Sequence, residues 1–194
     1  MDAAKIVSKI SKEHGIIKNV YFLACGGSLV DLYPGYYFVR AESAVMDAQW
    51  IPAREFALTP PKKLGKDSLL IICSHSGKTK ECLEAAKVGI NAGAAVVTMT
   101  HAPGSPCDCE EWISVVYDWA PGVKEAQKPQ GIVLGILNEL MKAQEPGYTL
   151  YSSIKEGFEK IDDIIAEAVK KQQNSAWLFA EKYSEEPNLY IMAS

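Results

Sequence analysis

No run of apolar residues in the 194-residue sequence approaches the length needed to cross a membrane. The N-terminus carries an acidic Asp2 and lacks an apolar core, so it does not read as a signal peptide. Basic residues are not in excess: 20 lysines and arginines stand against 24 aspartates and glutamates, for a formal net charge of -4. With no basic face to release counterions, nucleic acid is not expected as the main partner. A small phosphorylated ligand remains open, because local dipoles can hold one anion on an acidic protein. The cysteines are odd in number (Cys25, Cys73, Cys82, Cys107 and Cys109), which predicts reduced thiols in a cytoplasmic protein. Cys107-Asp108-Cys109 lacks the second ligand pair of a zinc site and reads as a surface loop. No metal and no cofactor are expected. The nucleotide signature G-x-x-x-x-G-K-[ST] is missing, and Gly26-Gly27 has no third glycine at dinucleotide spacing.

What is present centres on Cys73-Ser74-His75-Ser76-Gly77-Lys78-Thr79-Lys80-Glu81. The apolar run Leu69-Leu70-Ile71-Ile72 precedes it, and a helical pattern of Leu83, Ala86 and Ile90 follows. This predicts a buried strand that stops at a hydroxyl-rich turn and opens a helix. A helix N-terminus carries about half a positive charge and several unpaired N–H groups, so it favours anions. With two serines, a threonine and a glycine there, phosphate is the expected guest. The alternative is a plain helix start with Ser76 as its cap.

Strands and helices alternate along the rest of the chain. Residues 2–13 predict an amphipathic helix ending near Gly15, and 20–25 a strand closed by Gly26-Gly27-Ser28. Leu29 to Ala41 reads as a helix in which Pro34 forces a kink or a late start. Strands are expected over 44–53, 95–100 and 112–117, with loops at Pro60-Pro61 and at 101–106. A broad apolar stripe (Ile132, Ile136, Leu140) predicts a helix from about Pro129, and a long helix follows from Ser152 to about Tyr183. The pattern predicts an α/β fold: a three-layer sandwich with a mainly parallel sheet, flavodoxin/Rossmann-like, plus a long C-terminal connecting helix. The expected division is a domain over 1–150, the connecting helix over 151–188, and 189–194 as the first strand of a second, related domain. That last reading rests on Leu189-Tyr190-Ile191-Met192-Ala193-Ser194 matching Val20-Tyr21-Phe22-Leu23-Ala24-Cys25, with tyrosine second and alanine fifth in both.

Two loops, Gly26-Gly27-Ser28 and Ser74 to Thr79, leave the carboxyl ends of expected parallel strands, where open α/β sheets bind ligands. A strand into Cys25-Gly26-Gly27-Ser28, a second into Ser74-His75-Ser76-Gly77-Lys78-Thr79-Lys80-Glu81, and a long helix leading to another such strand resemble sugar isomerase (SIS) domain proteins. The isomerase half of glucosamine-6-phosphate synthase is one example. The stretch Leu29 to Pro34 and the loop from His101 to Pro106 are most similar to the fructoselysine/glucoselysine 6-phosphate deglycase branch. The resemblance implies a sugar phosphate or fructosamine 6-phosphate as ligand, held by Gly26, Gly27, Ser28, Ser74, His75, Ser76, Gly77 and Thr79. Lys128 could also reach it. His75 could donate to the phosphate or titrate near neutral pH, or simply sit in a capping loop. It further implies a homodimer, two such domains in tandem, and acid and base groups lying beyond Ser194. Of the carboxylates present, Glu55, Glu81 and Glu125 are candidates near the site, though Glu81 also suits the first turn of a helix. The expected activity is a deglycase; an aldose–ketose phosphosugar isomerase or a non-catalytic phosphosugar sensor is the alternative.

Overall fold

The computed structural model describes residues 2–190. Five strands, β1 (Asn19–Ala24), β2 (Asp47–Pro52), β3 (Ser68–Cys73), β4 (Ala95–Thr100) and β5 (Ile113–Val116), form one sheet. All neighbours are parallel, in the order β2-β1-β3-β4-β5. This is the flavodoxin-like order, in which the direction of winding reverses between β1 and β3. Helices cover both faces, so β1, β3 and β4 are buried at every position and can be apolar throughout. The edge strand β2 is mostly exposed.

One face carries α1 (Ala3–His14), α3 (Tyr33–Glu42) and α6 (Pro129–Gln144), which pack on Val20, Phe22, Leu69, Ile71 and Val97. The other carries α4 (Ala53–Leu58) and α5 (Lys80–Asn91), which pack on Tyr21, Leu23, Leu70, Ile72 and Val96. The expected three layers are therefore present. The helix expected over 29–41 is divided: α2 (Gly27–Asp31) and α3 share Leu32 as cap. Pro34 sits in the first turn of α3, where its missing N–H has no intrahelical role. In α3, Gly35 lets the helix approach closely, since a Cβ there would collide with Val133 and Phe22. The stretch Cys107 to Cys109 corrects the surface-loop expectation. Cys107 is buried, and its carbonyl accepts from Thr98 Oγ1 at 2.7 Å and Trp112 Nε1 at 2.9 Å.

The end of α6 closes the layer. The buried Glu145 accepts from Ser43 Oγ at 2.5 Å and from the Ala44 amide at 2.9 Å, beyond the end of α3. Two compact units divide the chain, Met1–Phe158 and Glu159–Ser194. The first holds the sheet, α1 to α6 and the opening turns of α7 (Tyr151–Lys182). In the second, the rest of α7 leaves Val169, Trp177, Leu178 and Phe179 exposed. The expected strand over 189–194 falls mostly outside the described residues, and Leu189 and Tyr190 are not in a strand. No helix among the described residues is long and apolar enough to cross a membrane.

Candidate functional site

The carboxyl ends of β1 and β3 meet at the point where the winding reverses. From β1 comes Gly26, at a φ of 58° as the N-cap of α2, followed by Gly27 and the half-buried Ser28. The Ser28 hydroxyl sits beside the Cys73 thiol at the end of β3. Burial pushes that thiol up to about 12, so it stays protonated.

From β3 comes the loop Ser74 to Thr79. Ser74 is buried and its amide donates to the Met99 carbonyl at 3.0 Å, which ties the loop to β4. Its hydroxyl pairs with Thr79 Oγ1 at 2.8 Å, across the mouth of the loop. Gly77 turns the chain at a φ of 64°, its amide donating to the Ser74 carbonyl at 2.9 Å. The cap of α5 is Thr79, not Ser76, and it makes no side-chain capping bond. Ser76 is exposed, and its oxygen accepts from the Lys78 amide at 3.3 Å. The amides of His75, Ser76 and Thr79 find no acceptor among the described residues. The Lys80 and Glu81 amides in the first turn of α5 add the usual unpaired donors of a helix start. These donors and hydroxyls form a neutral, anion-ready cradle at the positive end of a helix.

Lys128, the cap of α6, is ion-paired with Glu125 on the 3-10 turn Glu125–Gln127, and among the described residues no hydrogen bond or ion pair joins it to the cradle. Glu55 is exposed on α4, and Glu81 lies in the first turn of α5. No cluster of histidine, cysteine or carboxylate among the described residues could hold a metal.

The structure adds residues that were not singled out from the sequence. Asp31, closing α2, accepts from Gln130 Nε2 at 2.8 Å. Burial raises its carboxyl above the usual range, while neighbouring His75 draws it down. His101, Tyr117 and Trp119 gather on His75: the rings of His75 and His101 stack, Tyr117 OH lies 3.0 Å from His75 Nδ1, and Trp119 stands edge-on to His75. Their one shared signal is position, each lying just past the carboxyl end of a strand. On the other side of Tyr117 a cleft of about 720 Å³ opens between β5, α1 and α6. Asp2 and Asp118 line it beside apolar side chains, which suits an anion less well than the amides and hydroxyls of the cradle.

No family model matches the chain. Known proteins do. Fructosamine deglycase FrlB of Bacillus subtilis is 33% identical over 178 residues, covering 92% of this chain and 54% of that protein. The chain thus spans about half the length of that relative. Glutamine–fructose-6-phosphate aminotransferase of Clostridium tetani is 32% identical over 145 residues, covering 72% of this chain and 23% of that protein. A solved structure of a candidate phosphosugar isomerase from Salmonella typhimurium LT2 superposes with a TM-score of 0.87 at 33% identity, covering 95% of this chain and 56% of its own. Another, from Bacillus subtilis, gives 0.84 at 30% identity, over 95% of this chain and 58% of its own. With its five parallel strands, its loops at the carboxyl ends of β1 and β3 and these homologues, the chain belongs to the sugar isomerase (SIS) domain family.

Proposed function

We propose that this chain is the phosphosugar-binding domain of a deglycase that cleaves a ketoamine 6-phosphate into glucose 6-phosphate and an amino acid. The carrying observation is the set of unpaired amides at His75, Ser76 and Thr79, joined by the Ser74, Ser76 and Thr79 hydroxyls at the start of α5. Likeness to fructosamine deglycase supports the ketoamine as substrate class. The phosphate would seat on the cradle, with Ser28 reaching sugar hydroxyls from the neighbouring loop. Holding the far end of the substrate orients C1 and C2, which lowers the entropic part of the barrier. Acid/base catalysis would open the sugar ring and move a proton between C1 and C2, after which water releases the amine. On this reading a second domain, beginning near residue 189, supplies that acid and base. The two candidate phosphosugar isomerase structures favour an aldose–ketose isomerase as second reading, whose first steps are the same.

Calorimetric titration with fructose 6-phosphate tests the cradle. Removing one hydrogen bond to a charged group costs about 1.5–3 kcal/mol, so Ser76→Ala should weaken binding roughly 10- to 150-fold without lowering the melting temperature. Unchanged affinity would sink the assignment. Fructoselysine 6-phosphate given to the full gene product should yield glucose 6-phosphate, read by a coupled dehydrogenase. Aldose–ketose interconversion without that cleavage would select the isomerase.

A further inference from the structure

Beside the cradle stand two imidazoles that hydroxyl and amide binding leaves unused. His75, within the loop, and His101, just past β4, stack with ring centres 4.9 Å apart and planes 15° from parallel. Tyr117 holds both. Its backbone carbonyl lies 3.1 Å from His101 Nδ1, and a carbonyl only accepts, so that nitrogen carries hydrogen and Nε2 is the basic one. The Tyr117 hydroxyl lies 3.0 Å from His75 Nδ1. A hydroxyl donates to a neutral imidazole and accepts from a charged one by rotating about one bond, so His75 can change charge and keep its partner. Neither Nε2 has a partner among the described residues. The His75 carbonyl accepts from the His101 amide at 3.2 Å and from Thr100 Oγ1 at 3.3 Å, which fixes the pair to the cradle loop.

The charged and titratable groups facing the pair are few. Asp31, from α2, interacts with His75. Cys73, at the end of β3, stays a thiol, and burial keeps the Tyr117 phenol neutral. The edge of Trp119 closes one side, 5.8 Å from His75. Like charges in face contact repel, so the pair suits a single proton, and an anion at the neighbouring amides favours that charged form.

We propose that His75 and His101 form a ligand-coupled proton acceptor: a phosphate ester dianion seating at Ser74–Thr79 draws one proton from solvent onto the stacked pair. Dianion and proton enter together, and no bond of the ligand breaks. The inference rests on the phosphate reading above and adds that ligand binding and protonation of an imidazole beside the sugar are coupled.

Fructose 6-phosphate is titrated calorimetrically at about pH 7.5, where the ester is already dianionic, in buffers of different ionisation heat. The expected result is uptake of about half a proton or more per ligand, with affinity falling by up to about tenfold per pH unit above that point. The double variant His75→Gln/His101→Gln should still bind but lose the uptake. Each single variant should lower it, which keeps the comparison available if the double variant does not fold. Wild-type binding without uptake, or unchanged uptake in the variants, would overturn the inference alone. If wild type binds at no pH, the phosphate reading fails and takes this inference with it.

Discussion

Replacing Gly77 with alanine separates backbone strain from steric collision at the cradle. Gly77 sits at a φ of 64°, which costs an L-residue about 1–2 kcal/mol. It is also enclosed: a Cβ would run into Ser105 Oγ and Cβ and into Thr100 Oγ1. Rotation of Ser105 cannot relieve contact with its own Cβ. Thr100 Oγ1 is held by the His75 carbonyl and the Ala102 amide, at 3.3 and 3.1 Å. Overpacking of this kind costs about a further 1–3 kcal/mol, so Gly77→Ala should destabilise by about 2–5 kcal/mol in all. For a domain of this size that lowers the melting temperature by about 4–20 °C. Gly104 supplies the control, because it has a φ of 70° but open space where a Cβ would go. Gly104→Ala should therefore show the strain alone, about 1–2 kcal/mol. Scanning calorimetry reads the two losses, and titration with fructose 6-phosphate should find Gly77→Ala far weaker than Gly104→Ala. Equal melting losses in the two variants, or wild-type affinity in Gly77→Ala, would refute the reasoning.

Two further outcomes follow from the packing and the charges. Glu145→Ala leaves the Ser43 hydroxyl and the Ala44 amide without their acceptor and should cost about 2–4 kcal/mol in urea unfolding, with Glu145→Gln about half of that. A loss no larger in the alanine variant than in the glutamine one would contradict this role. For Asp31, burial raises the carboxyl above 3.8, with His75 opposing. The folded protein therefore binds that proton more tightly than the unfolded chain does. The resulting stability is fully present below 3.8 and is lost as pH rises through the higher folded value. Asp31→Asn keeps an acceptor for Gln130 and should flatten the decline in melting temperature across that acidic range. A steeper decline in the variant would reverse the sign and dismiss the reasoning.

The sheet was legible because its central strands have no polar face. Leu69 to Ile72 and Val20 to Ala24 are apolar at every position, and burial on both sides requires that. The six residues of α4 are too few to show a helical period, so Ala53–Leu58 gave no signal between an expected strand and Pro60-Pro61. The cradle was legible for a local reason: strand, hydroxyl-rich turn and helix follow each other without interruption. The imidazole pair and Tyr117 were not. His75, His101 and Tyr117 leave three successive strands, and only the parallel register of β3, β4 and β5 brings them to one edge. Cys107 misled for a related cause. Its neighbours Pro106 and Asp108 read as loop, while Thr98 and Trp112, which draw its carbonyl inward, stand several residues away on either side.

The position of β1 has a consequence for how the chain is made. It is synthesised first among the strands yet lies in the interior of the sheet, between β2 and β3. Parallel neighbours cannot be joined by a tight hairpin, so both partners arrive only after long crossovers. Until residue 73 has left the ribosome, Val20 to Ala24 is a two-sided apolar ribbon with at least one bare edge. A nascent chain stalled in that interval is a target for chaperones and for self-association, whatever the stability of the finished fold. The strand whose carboxyl end carries Gly26-Gly27-Ser28, buried on both faces in the finished sheet, is thus a liability during birth.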